Sequence, residues 1–177
     1  MKMFLNKPSC FILDVDGVMT SGQFFYSEEG KCFKSFGPDD NDGLSILSPF
    51  IEIRFITGYK KGFNISKKRI VEDMGYKLDL VSTIRRLDWI SDKYELDRVI
   101  YMGDGIFDHY VMEKVYYSIA PSNADFLAKE SANYVTKRSG GDRAVSEACL
   151  HLLAKFFEPY DPSKLPSKLF NSGEWSV

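Results

Sequence analysis

The chain has 177 residues, enough for one compact domain and little more. Hydrophobic residues make up 44% and aromatics 15%, which supplies a sizeable core, while a formal charge of -2 provides no basic field to hold nucleic acid or an anionic membrane. Three scattered cysteines, Cys10, Cys32 and Cys149, form no C-x-x-C pair and read as reduced, packed thiols. The short apolar start runs straight into Asp14 and Asp16, the wrong shape for a signal peptide, and no apolar run approaches membrane-spanning length. A soluble, cytoplasmic protein is expected.

Short apolar runs then alternate with amphipathic stretches. Residues 10–13 read as a buried strand running into acidic residues. Residues 24–26 and 32–36 flank Ser27-Glu28-Glu29-Gly30 and predict a hairpin, with Gly30 supplying positive φ in the turn. Residues 40–47 predict a helix opened by acidic caps. A second strand spans 52–56 and ends in Thr57-Gly58. A basic helix follows over 64–74, closed by Gly75. Residues 78–81 predict a short strand, Ser82-Thr83 cap a helix reaching Tyr94, and residues 99–102 form a third apolar run that stops at Gly103-Asp104. Beyond it come a helix over 106–114, a strand over 116–120, a short helix after Ser122 and a strand at Tyr134-Val135. A last helix over 143–157 puts Val145, Ala148, Cys149, Leu152 and Phe156 on one face. The final residues, 158–177, hold three prolines and predict an extended tail after a domain over 1–157.

Strand-then-helix repetition implies an α/β fold, a mainly parallel sheet with helices on both faces. Ligands in such folds bind outside the carboxyl ends of the strands. Three strands end there in reactive residues: Asp14 to Thr20 (D-V-D-G-V-M-T), Ile56 to Gly58 (I-T-G) and Met102 to Asp108 (M-G-D-G-I-F-D). One acid after a strand is most often a cap or turn former. Asp14, Asp16, Asp104 and Asp108 gathered at one edge would repel unless protons or a cation intervened, and oxygen ligands without His or Cys suit magnesium. Phosphoryl transfer to a carboxylate needs a nucleophile, a bridging cation, donors for the phosphoryl oxygens, and an acid that later acts as a base. Asp14 suits the first role and Asp16 the last. Thr57 and the Gly58 N–H suit the donors, and Asp104 completes the metal site.

These three motifs, in this order, resemble the haloacid dehalogenase superfamily of phosphohydrolases over residues 9–157. The resemblance implies a Rossmann-like three-layer sandwich that works through an aspartyl-phosphate. It assigns Asp14 as nucleophile, Asp16 as acid–base, Thr57 and Gly17 to the phosphate, and Asp14, Asp104 and the Asp16 carbonyl to Mg2+. Asp108 would orient the metal shell and a basic residue. That basic residue, usually lysine, has two candidates, Arg85 and Arg86. Arg86 is favoured because Leu87, Ile90 and Tyr94 follow it at helical spacing. His109 has a capping or surface reading and a substrate-contact reading.

The hairpin and one helix fill the stretch from Asp14 to Thr57, and two helices and two strands fill that from Thr57 to Gly103, so no cap domain fits. The hairpin, Asp42-Gly43, Val111 to Val115 and Gly140 to Glu147 resemble the capless phosphatases of 3-deoxy-octulosonate 8-phosphate and of nine-carbon sugar acids. That subfamily implies a homotetramer in which neighbours close each site. Phe24, Phe25, Phe33 and Phe36 on the hairpin are compatible with such an interface, and the tail, with Phe170 and Trp175, is expected near an active site. The chain departs from the pattern at Ser146, where arginine is expected, and at Arg143, where glycine is expected. The expected substrate is therefore a small phosphorylated sugar, sugar acid or polyol, in surface-glycan biosynthesis. The alternative is a non-catalytic tetramerising module on the same fold, against which stand Asp14 and Asp16.

Overall fold

The computed structural model describes residues 7–165. Strand β1 (Cys10–Asp14) is buried along its whole length. Its alternating side chains enter two cores, Phe11 and Leu13 on one face and Cys10 and Ile12 on the other. A strand apolar on both faces is stable only inside a sheet covered twice, and β1 lies between β4 (Glu52–Thr57) and β6 (Val99–Met102). With β5 (Lys77–Leu80), β7 (Tyr117–Ala120) and β8 (Tyr134–Val135), the order is β5-β4-β1-β6-β7-β8, and every pairing is parallel.

Helices α1 (Asp39–Leu47) and α6 (Ala144–Phe156) cover the Phe11 face with Leu44, Leu47, Val145, Ala148, Cys149 and Leu152. Helix α2 (Phe63–Lys67) runs on as wider π-helical turns over Lys68–Asp73, adds Ile70 and Met74 to that core, and ends at Gly75 with φ 75°. Helices α3 (Arg86–Ser91), α4 (His109–Met112) and α5 (Phe126–Ser131) cover the Ile12 face through Ile90, Val111, Met112 and Ala128. Helix α5 starts later than the sequence suggests, because its cap is Asp125, whose carboxylate accepts the Leu127 N–H, rather than Ser122. The expected helix from Ser82 opens with a tight turn, Thr83–Arg85, before α3.

The only other sheet among the described residues is the hairpin β2 (Phe25–Ser27) with β3 (Gly30–Phe33), and nothing larger is inserted between the strands. Gly30 has the expected positive φ, 120°. The ladder is shorter than expected because Lys34 turns inward to an ion pair with Asp16. Phe24 stacks on Tyr59 and Phe36 packs on the core, so of the four hairpin phenylalanines Phe25 and Phe33 stand most exposed.

The acidic caps expected at α1 are a correction. Its N-terminus, at Pro38, has no side-chain cap. Asp40 instead caps another helix: its Oδ1 accepts the Ser146 N–H at 2.9 Å, near the start of α6, where the N-cap Arg143 (φ 67°) offers no acceptor. Gly43 permits this approach, since a Cβ there would stand 2.6 Å from the Ser146 Cα. Asp40→Ala is expected to lose about 1–2 kcal/mol, as loss of a helix cap does, and to lower the melting temperature by roughly 2–8 °C. Asp40→Asn should keep most of that stability in the same thermal melt.

Residues 158–165 contain no helix. Phe157, just before them, packs on Phe50 with ring centroids 5.6 Å apart and lies under the Lys7 ammonium at 4.9 Å. Both neighbours belong to the amino edge of the sheet, so the described tail starts at the edge opposite the chain's own motif-bearing strand ends. Phe170 and Trp175 lie outside the described residues. Among the described residues, no helix is long and apolar enough to cross a membrane. The three cysteines stay as free thiols.

Candidate active site

From β1 the chain adds β4 and β5 on one side, then returns to add β6, β7 and β8 on the other. Such a reversal opens a crevice at the carboxyl ends of the central strands. All three motifs meet there. Asp14 ends β1, and its Oδ1 accepts the Val15 N–H at 2.7 Å. Thr57, fully buried, ends β4, and Asp104 follows β6.

Of the two arginines, Arg86 is the one the fold brings to the strand ends. It starts α3 with its side chain only 4% exposed, and Nη1 lies 2.8 Å from Asp14 Oδ2, 2.6 Å from Asp108 Oδ1 and 2.9 Å from the Tyr101 hydroxyl. Arg85 points to solvent and pairs with Asp88. Burial is tolerable for Arg86 because Asp14, Tyr101 and Asp108 surround it and raise its pKa well above the ordinary value against desolvation. Its buried Nε has no hydrogen-bond partner among the described residues.

Asp14, Asp104 and Asp108 each place a carboxylate oxygen within 4.8 Å of the others. Burial is the main cause that pushes Asp14 up to about 6, with Asp108 adding and Arg86 opposing. Burial, then the charges of Asp14 and Asp108, push Asp104 up to about 8. Asp108 is already satisfied: Oδ1 accepts from Arg86 and the Tyr101 hydroxyl, and Oδ2 from the Asp104 and Gly105 N–H groups at 2.9 and 2.8 Å. Asp14 and Asp104 are then the acids left to a cation, with Asp108 holding the loop and Arg86 behind them. A hard divalent ion fits this oxygen-only set, and its charge would offset the burial and the repulsion that push Asp104 up.

Asp16 turns away from that cluster. Its Oδ1 pairs with the Lys34 ammonium at 2.6 Å, and Oδ2 accepts the Thr57 hydroxyl at 3.3 Å. Gly17 (φ 88°) sits where a Cβ would come within 1.8 Å of Asp104 Oδ2, so glycine is required there both by backbone and by space. Gly58 is exposed next to Thr57. His109 is turned aside, with Nδ1 2.6 Å from the Ile106 carbonyl and its ring on Tyr110.

Three participants escaped the sequence reading. Lys34 carries no motif and gives no local signal. Tyr101 lies inside an apolar strand and looks like core. Asn123 bridges two loops, since its Oδ1 accepts the Gly140 N–H at 2.7 Å and its Nδ2 donates to the Gly17 carbonyl at 3.4 Å. A Cβ on Gly140 would meet that carbonyl at 1.9 Å, which explains why the Gly140-Gly141 motif begins with glycine.

A parallel six-stranded sheet between helices, with buried acids at its switch point, is the fold of the haloacid dehalogenase phosphatases. No family model matches the chain. It is 37% identical over 155 residues to the 3-deoxy-D-manno-octulosonate 8-phosphate phosphatase KdsC of Salmonella typhi, across 81% of this chain and 79% of that one. Among solved structures it is similar to the cobalt-bound deoxy-D-mannose-octulosonate 8-phosphate phosphatase of Haemophilus influenzae, with a TM-score of 0.74 and 25% identity over 86% of this chain and 91% of that one. The Moraxella catarrhalis 3-deoxy-D-manno-octulosonate 8-phosphate phosphatase, solved with a magnesium ion, a phosphate ion and KDO, gives 0.72 and 25% over 83% and 86%. The chain belongs to the KdsC family of phosphatases.

Proposed function

We propose that this phosphatase is a magnesium-dependent phosphomonoesterase that hydrolyses a small phosphorylated sugar or sugar acid, of the kind its relatives are named for, through an aspartyl-phosphate on Asp14. The observation that supports this most is the placement of Asp14, with one oxygen held by Arg86 and the other by the Val15 N–H, and with a carboxylate oxygen within 4.8 Å of one on Asp104. Asp14 attacks phosphorus while the bond to the ester oxygen breaks, and Asp16 gives its proton to the leaving oxygen. Asp16, now a carboxylate, takes a proton from the water that attacks the same phosphorus, and release of inorganic phosphate restores Asp14. Thr57, the Gly58 N–H and the loop at Gly17 would bind the phosphoryl oxygens, and Arg86 adds positive charge beside them. Asp14, Asp104 and the main-chain carbonyl of Asp16 would hold Mg2+, which when bound supplies charge to neutralise the phosphoryl group.

The distal end of the substrate is less constrained. Arg143 is engaged by Asp39 and Asp142, and the Ser146 N–H by Asp40, so this rim offers a compensated set of charges. A place in surface-glycan biosynthesis is proposed on the same footing as the sugar-acid substrate. We also propose a homotetramer, supported by exposed Phe25 and Phe33 on the hairpin and exposed Ile106, Phe107, Tyr110 and Phe126 beside the site. A monomer by light scattering would remove it.

The test is phosphate release from 3-deoxy-D-manno-octulosonate 8-phosphate, hexose phosphates and polyol phosphates. Turnover is expected to vanish in excess chelator, to return with magnesium, and to return poorly with calcium, whose looser and larger coordination suits the site less. Full activity in chelator would remove the metal from the mechanism. Equal rates on every ester would remove the sugar-acid preference.

A further inference from the structure

Lys34 follows β3, in a hairpin most of whose residues face solvent, yet its side chain is wholly removed from solvent. Lysine is almost never buried to that degree unless it is paired. Its ammonium stands 2.6 Å from Asp16 Oδ1 and donates to the Ser66 hydroxyl on α2 at 2.7 Å. The Thr57 hydroxyl holds the other Asp16 oxygen at 3.3 Å. Both oxygens of Asp16 are therefore fixed, one from the hairpin and one from the end of β4. A serine partner alone would tie the hairpin to α2; the ion pair ties it to the reacting centre.

The hairpin is itself seated on the segment that follows Thr57. The Lys31 ammonium lies 3.0 Å from the centre of the Phe24 ring and 3.7 Å from that of Tyr59, and the Tyr26 and Tyr59 hydroxyls share a hydrogen bond. A Cβ on Gly62 would meet the Lys31 side chain at 2.9 Å, so the seat is tight. A hairpin held this way presents Lys34 to Asp16 at a fixed height.

We propose that Lys34 is a positioning residue for Asp16, through which the chain's own hairpin sets where the acid–base stands. This rests on the acid–base role proposed for Asp16. Lys34 touches neither phosphorus nor the leaving oxygen in this reading. It restrains the carboxyl group that hands its proton to the leaving oxygen in the first step and receives one from water in the second, with the P–O bonds breaking and forming as described above. Displacement of Asp16 matters most when the leaving oxygen is a strong base, because an activated aryl oxide departs with little protonation.

The experiment compares Lys34→Met, Lys34→Arg, Asp16→Asn and the Asp16→Asn/Lys34→Met double variant on an alkyl sugar phosphate and on an activated aryl phosphate. Lys34→Met is expected to lower kcat on the alkyl ester roughly ten- to hundred-fold, to lower it clearly less on the aryl ester, and to leave KM within about threefold. Lys34→Arg should restore most of the loss. In the Asp16→Asn background Lys34→Met should cost nothing further, because a residue that acts through Asp16 has no route left. A loss of equal size on both esters, or the same loss with Asp16 already replaced, would overturn the role of Lys34 while leaving that of Asp16 intact. An Asp16→Asn enzyme with wild-type rate on the alkyl ester would remove the acid–base reading and this proposal with it.

Discussion

Asp14→Asn is expected to reduce turnover by at least about 10⁴-fold, the order of loss met when a covalent nucleophile is removed. The amide keeps the shape but has no electron pair fit to attack phosphorus, and it contributes one anionic ligand fewer to a cation. Stability should hold or rise. Asp14 is one of three carboxylates crowded within 4.8 Å, and desolvation and Asp108 already push it up to about 6. Neutralising it relieves that repulsion, while Arg86 keeps Asp108 and Tyr101 as partners. Phosphate release, phosphoenzyme trapping and a thermal melt on one preparation check all three parts. A variant that retains a tenth of the wild-type rate would end the covalent mechanism.

Arg86→Met should cost both activity and fold. The side chain is 4% exposed and compensates Asp14 and Asp108 at 2.8 and 2.6 Å. Removing one side of a buried ion pair leaves an uncompensated charge and typically costs about 3–5 kcal/mol, a fall of roughly 6–20 °C in melting temperature for a chain of this length. Arg86→Lys should recover part of the stability, since Nη1 alone meets Asp14, Asp108 and Tyr101 and an ammonium also carries three donors, while its shorter reach and compact charge should recover little of the activity. Arg85→Ala, one residue away, removes only the exposed pair with Asp88 and should change stability by no more than about 0.5 kcal/mol. The two arginines thus form a matched control in one denaturation series. Equal effects at both positions would mean that Arg86 is not the buried partner of the nucleophile.

The sequence by itself determined the strands and what stands at their ends. An apolar run such as residues 10–13 needs burial on both faces, and together with the strand-then-helix repetition that need places it inside a parallel sheet. The acids and the threonine that interrupt the runs then fall at the carboxyl edge, where Asp14, Thr57 and Asp104 are found. Gly30 and Gly75 were legible for a similar reason, because a positive φ selects glycine from local chain geometry. Tertiary structure decided the partners. Nothing within a helical turn of Asp40 shows that its carboxylate will cap α6, more than a hundred positions onward, rather than α1. Lys34 looks like any surface lysine until the hairpin folds over Asp16, and Tyr101 looks like core until Arg86 and Asp108 converge on its hydroxyl. Propensity and periodicity act over a few residues, whereas the partner of a buried charge is fixed by which strand ends and helix starts the sheet brings together. Chain order therefore placed the acids at one edge of the sheet, and only the folded sheet identified the cations that hold them.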